Sequence, residues 1–139
     1  MSIRLGDTAP DFTADTTDGP ITFHDWKADS WAVFFSHPAD STPVCTTELG
    51  RTAALKDEFA KRNTKAIALS VDSVEDHKSW APDIGEVGGT DLNFPIVADP
   101  DRTVAENRRA AAVRAIRSGF TSSARVVTAA ALIMFAVFV

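Results

Sequence analysis

Cys45 is the one cysteine of the chain. A single cysteine excludes an internal disulfide framework and suits a reducing compartment. It leaves no second thiol to pair with, and it leaves metal ligands scarce. His24 and His77 with one cysteine do not make a metal site and read as surface or capping residues. Also missing is any basic stripe with interleaved aromatics, so no nucleic-acid partner is expected of so acidic an N-terminal part. Met1-Ser2-Ile3-Arg4 does not open an apolar leader, so secretion is not expected and the head is placed as cytoplasmic.

What is present is enough for one domain: 139 residues, 45% of them apolar, can bury a core. The charge is uneven along the chain. Residues 1–105 sum to −9 and residues 106–139 to +4, so the composition changes sign near Ala105. In the acidic part, Asp18-Gly19-Pro20 is a turn between Phe12-Thr13-Ala14 and Ile21-Thr22-Phe23, which predicts a hairpin of short strands. His24–Asp29 reads as a short helical turn. The apolar runs Trp31–Phe35, Ala66–Val71 and Phe94–Ala98 read as three strands. Between them lie a helix to about Arg62, with Leu55, Phe59, Ala53, Ala54 and Ala60 on its packed face, and a second helix opened by Ser73 with an acid at the third position, Asp76. Gly88-Gly89 closes that helix, and Asp99-Pro100-Asp101 starts another through Val104. Alternating strand and helix predicts an α/β architecture with parallel strands at its centre.

The chemistry concentrates in Ser36-His37-Pro38-Ala39-Asp40-Ser41-Thr42-Pro43-Val44-Cys45, which joins the first of those strands to the first long helix. Thr42 is a good N-cap and Pro43 fits the first helical position, where a missing N–H costs nothing. Cys45 then falls in the first turn, near unpaired backbone N–H groups and the positive end of the helix dipole. Both favour thiolate over thiol, so a lowered thiol pKa is expected. A lone cysteine is more often a small buried hydrophobe, and it is this setting that turns the reading toward a reactive thiol.

Pro38, Thr42 and Cys45 meet the pattern Pro-x-x-x-Thr-x-x-Cys, and here the chain resembles the peroxiredoxins. The longer string through Thr46-Thr47-Glu48-Leu49-Gly50-Arg51, with Ile67–His77 and Phe94–Asp99, is similar to their one-cysteine branch. The likeness covers residues 3–105. It implies a thioredoxin-like fold, here incomplete at its C-terminal end, and a thiol peroxidase acting on hydrogen peroxide or alkyl hydroperoxides without metal, haem or flavin cofactor. Cys45 would be the nucleophile and pass through a sulfenic acid, Thr42 would orient the peroxide, and Pro38 would shield the sulfur. With no second cysteine, an external thiol or redox protein would be the reductant. The family also implies a homodimer, although Ser41 stands where relatives carry an aromatic side chain that supports the subunit contact.

Glu48 suits the helix dipole, and in the family it helps hold an essential arginine. Arg125, 80 residues after Cys45, has close to the family spacing for that arginine; Arg51, six residues on, faces another side of the helix. The resemblance stops after Ala105. Residues 106–139 form a second region, rich in arginine and alanine and then apolar, in which Ser122–Phe135 resembles a membrane helix of the MmpL-type lipid transporters, and Arg125 is read as part of that helix. Val126–Val139 is apolar but for Thr128, yet shorter than the roughly 20 residues a span needs. The tail is therefore expected to be helical and poorly packed on the head, with membrane association through 126–139 as one outcome. Two non-enzymatic readings stand beside the peroxidase: an inactive truncated or chimeric fragment, and a membrane-associated piece. His37 invites a Cys/His hydrolase reading, but it precedes Pro38 in a turn and the sequence shows no orienting partner.

Overall fold

The computed structural model describes residues 8–106. Residues 11–104 form one compact unit. The hairpin forms as predicted: β1 (Thr13–Ala14) pairs antiparallel with β2 (Ile21–Thr22), Thr13 opposite Thr22. Its turn is tied by the Thr16 hydroxyl, which donates to the Gly19 carbonyl at 2.7 Å, while Gly19 takes a φ of +103° that favours glycine. A short helix, α1 (Phe23–Lys27), follows directly.

The centre is a three-stranded parallel sheet in the order β3 (Trp31–Ser36), β4 (Thr64–Ser70), β5 (Ile96–Ala98). Parallel neighbours need a crossover. α2 (Pro43–Ala54) with α3 (Lys56–Ala60) supplies the first, and α4 (Val74–Gly88) the second. β4, the middle strand, is buried from Ala66 through Ser70, which is why its sequence is a continuous apolar run rather than an alternating one. Successive strand residues point to opposite faces, and Phe34 and Phe35 use both. Phe34 meets Phe12 and Phe23 edge-on, whereas Phe35 meets Phe94 and packs on the cluster that contains Cys45.

α2 and α4 touch backbone to backbone at two glycines. A Cβ built on Gly88 would stand 2.6 Å from the Gly50 carbonyl oxygen, and one on Gly50 would stand 2.9 Å from Gly88 N. Only glycine permits that approach, and it brings the side chains of both helices onto one core. The buried stripe of α2 is Cys45, Leu49 and Ala53, four residues apart each time.

Several sequence expectations need correction. The helix expected to run to Arg62 breaks at Leu55, whose φ of −91° and ψ of 12° leave the α region, and α3 follows as a separate short helix. Leu55 and Phe59 are only half-buried and Ala54 and Ala60 are exposed, because the packed face is set by α2 before that break. β5 starts at Ile96, not Phe94: Pro95 has no N–H to give a ladder. Helical backbone after β5 resumes at Thr103, since the Asp99 and Asp101 carboxylates accept from the Val104 and Thr103 N–H groups. Among the described residues no helix is long and apolar enough to cross a membrane. The expectations for 107–139, Arg125 and the apolar run included, lie outside the described residues.

Candidate active site around Cys45

β3 ends at Ser36, and the loop from His37 to Thr42 turns the chain into α2. Thr42 is the N-cap, extended at φ −86° and ψ 137°, and Pro43 is the first helical residue. Cys45 is thus in the first turn, 7% exposed, with Leu49, Trp80, Ile84 and Phe94 in its core cluster. The Thr42 carbonyl accepts from Thr46 twice, from the N–H at 2.9 Å and the hydroxyl at 2.8 Å. Its own hydroxyl makes no capping bond; the contact it has is to the Ala39 carbonyl at 3.5 Å, the outer limit for a hydrogen bond. A short hydroxyl side chain sits beside a cysteine with its hydrogen-bonding capacity nearly unspent. Pro38 lies in the same loop and is exposed. Of the three residues singled out in the sequence, Thr42 and Cys45 are brought into one helical turn.

The loop is clamped by a buried polar network. Asp40 receives His37 Nε2 on one carboxylate oxygen at 2.7 Å and His77 Nδ1 on the other at 2.5 Å. Its backbone N–H donates to Asp72 Oδ2 at 2.9 Å, and the Ser70 hydroxyl donates to that same oxygen at 2.7 Å. Burial alone would raise the Asp40 carboxyl, but the hydrogen bonds from His37 and His77 outweigh it and bring the pKa down to about 2. The remaining nitrogen of His77 faces the Val97 carbonyl at 3.3 Å.

Two histidine readings are therefore corrected. His77, expected at the surface or in a cap, is fully buried, and His37, expected to lack an orienting partner, has Asp40. His37 Nδ1 is the buried side-chain nitrogen that makes no hydrogen bond among the described residues. The His37 ring lies 5.3 Å from that of Trp80, whose Nε1–H donates to the Thr46 hydroxyl at 3.1 Å, next to Cys45. His37, Asp40 and Asp72 also bring ligand-type atoms within 4.8 Å of one another, but the carboxylates are already taken by protein donors. Glu48 and Arg51 are exposed on α2.

Sequence reasoning missed Asp40, Ser70, Asp72 and His77 as neighbours of this loop. One signal was readable: His77, Trp80 and Ile84 fall at i, i+3 and i+7, the spacing of a buried helix stripe.

Known proteins resemble this chain in sequence and in fold. Residues 5–128 match the AhpC/TSA family, a stretch that passes Ala105 and takes in Arg125. The chain is 60% identical over 107 residues to peroxiredoxin-6 of Gallus gallus, covering 74% of this chain and 48% of that one. It is 55% identical over 104 residues to a 1-Cys peroxiredoxin of Dictyostelium discoideum, covering 75% and 43%. Among solved structures it is similar to a yeast mitochondrial 1-Cys peroxiredoxin, described with a thiol resolving mechanism via glutathione/thioredoxin systems (TM-score 0.74, 52% identity, 77% of this chain and 51% of that one). A cysteine-to-serine mutant of peroxiredoxin 6 from Arenicola marina gives a TM-score of 0.73 at 50% identity, over 76% and 49%. The chain spans about half the length of the curated relatives it matches.

Proposed function

The chain belongs to the AhpC/TSA family, on its one-cysteine peroxiredoxin branch, with the thioredoxin-like fold of that family, and from this we propose that it encodes a thiol peroxidase with Cys45 as nucleophile. The observation that carries the proposal is the first turn of α2: a cysteine at its third position and, at the N-cap, a Thr42 hydroxyl not used for capping. The substrate class is hydrogen peroxide or a small alkyl hydroperoxide.

The Cys45 thiolate attacks the terminal peroxide oxygen in line with the O–O bond. The S–O bond forms as the O–O bond breaks, the departing oxygen takes a proton and leaves as water or alcohol, and the sulfur is oxidised to a sulfenic acid. Thr42 holds the oxygen under attack by a hydroxyl hydrogen bond, and Pro38 limits water at the sulfur. Reduction then falls to an external thiol, a low-molecular-weight thiol or a redox protein. It attacks the sulfenic sulfur, releases water and leaves a mixed disulfide that a second thiol resolves. Such a cycle suits a reducing, cytoplasmic compartment.

The test is intact-mass analysis of the full chain with one equivalent of hydrogen peroxide. A single added oxygen, trapped by dimedone and absent from Cys45→Ser, formed much faster than on free cysteine, is the expected result. Equal rates for protein and free cysteine would overturn the activity.

A further inference from the structure

The buried network has no place in the reaction just described, although it holds the loop on which that reaction depends. Asp40 ties four elements together: the loop itself through His37, α4 through His77, the end of β4 through Ser70 and Asp72, and, by way of His77, the Val97 carbonyl of β5. Ser41, the next residue, sits at a φ of +57°, a left-handed conformation that a serine adopts only against a steric cost. Thr42, the N-cap above Cys45, comes immediately after. A strained residue between a clamped aspartate and the cap passes the clamp's position directly into the first turn of α2.

The second route runs through His37. An ionised carboxylate only accepts, so His37 gives its proton from Nε2 to Asp40, and the bond at one ring nitrogen fixes the state of the other. Nδ1 is left as a buried lone pair with no hydrogen bond among the described residues, in a ring that packs against Trp80, itself bonded to Thr46 beside Cys45. We propose that Asp40 is a positioning residue for the chemistry at Cys45: braced by His77, it fixes the His37 proton on Nε2 and sets the 37–42 loop that carries Thr42. Asp40 touches no reacting atom in this scheme. It acts through His37 and through Ser41 into the cap.

The rate arm of this inference rests on the peroxidase reading; the hydrogen-bond arm does not. Asp40→Asn keeps the size of the side chain but replaces one accepting oxygen by a donating NH2, so it cannot accept from both histidines. Two measurements on the full chain decide. The first is the two-bond 15N–1H spectrum of the imidazole rings, with His37→Gln used to assign the His37 signal. In the wild type it is expected to show the proton on Nε2 of His37, and in Asp40→Asn a mixture of tautomers. The second is the second-order rate with hydrogen peroxide, expected to fall about ten- to a hundredfold, the range found when the partner that orients a metal-bound histidine is removed. Asp40→Glu, which restores a two-oxygen acceptor, is expected to recover the Nε2 tautomer and part of the rate. An Asp40→Asn protein with an unchanged His37 tautomer, or with the wild-type peroxide rate, overturns the proposal. A wild type no faster than free cysteine sinks the peroxidase reading instead, and the spectrum then still decides whether Asp40 sets the His37 proton.

Discussion

α2 and α4 begin with the same kind of residue and use it differently. At α4, Ser73 accepts from the Asp76 N–H at 3.2 Å, donates to the Asp76 carboxylate at 2.7 Å, and has its own N–H bound by that carboxylate at 3.2 Å. The cap is complete. At α2, Thr42 occupies the same position with extended backbone, Pro43 behind it, and no side-chain cap bond. A closed cap spends its hydroxyl on holding the helix, whereas an open one leaves hydroxyl and first-turn N–H groups for a ligand. The α2 start forms without that bond because α2 is anchored elsewhere, by Leu49 and Ala53 in the core and by the Gly50–Gly88 contact.

The largest break in the comparison removes the sulfur. Cys45→Ser should abolish peroxide turnover while leaving the midpoint of urea unfolding near the wild type, since the swap changes little volume inside the cluster. Residual turnover in a steady-state assay with an external thiol would mean that the reacting group lies elsewhere.

Next in size is the acid response of the α2 side, for which α4's start has no counterpart. In the fold the hydrogen bonds from His37 and His77 hold the Asp40 carboxyl at about 2, below its ordinary value of 3.8. A carboxyl depressed on folding stabilises the fold above its unfolded pKa and loses that contribution as pH falls through the folded value. Stability should therefore fall as the pH drops from roughly 4 to 2. Urea titrations at pH 5 and pH 2.5 should show the drop in the wild type and a smaller one in Asp40→Asn; parallel losses in both proteins would place the acid sensitivity on other carboxylates.

How much of this was written locally in the chain divides along the same line. Both helix starts were legible, because a cap, a proline or an acid three residues on is a short-range signal. The three parallel strands were legible from their apolar runs. The clamp was not: Asp40 and Asp72 are 32 residues apart and Asp40 and His77 are 37, and no local pattern reports a pairing made by the fold. His77 looked solvated between Asp76 and Lys78, although its place in the His77–Trp80–Ile84 stripe spoke otherwise. The break at Leu55 carries neither glycine nor proline, so propensity gave it no mark.

Thr42→Val tests the open cap. Losing one hydroxyl hydrogen bond to the peroxide should lower the second-order rate about tenfold, which corresponds to about 1.4 kcal/mol. Stability should hardly move, because the hydroxyl has only the 3.5 Å contact to lose. A rate at the wild-type value would show that the Thr42 hydroxyl does not hold the peroxide. A large loss of stability at full rate would turn α2's start into an ordinary structural cap.

Ser73→Ala is the mirror of that experiment and the smallest effect of the set. It removes the acceptor for the Asp76 N–H and the donor to its carboxylate, so chemical unfolding should show a loss of about 1 kcal/mol. The peroxide rate should stay at the wild-type value, since Ser73 touches neither Cys45 nor the loop before it. The prediction is sharper than a generic cap deletion because His77 lies four residues along the same helix and holds Asp40 from there. α4 is fixed near that point by other means, with Trp80 and Ile84 buried beside His77, so fraying of its first residues should stop before it reaches the histidine. A peroxide rate that fell along with stability would mean that the fraying does reach His77, and the separation between a structural cap at α4 and a chemical one at α2 would not hold.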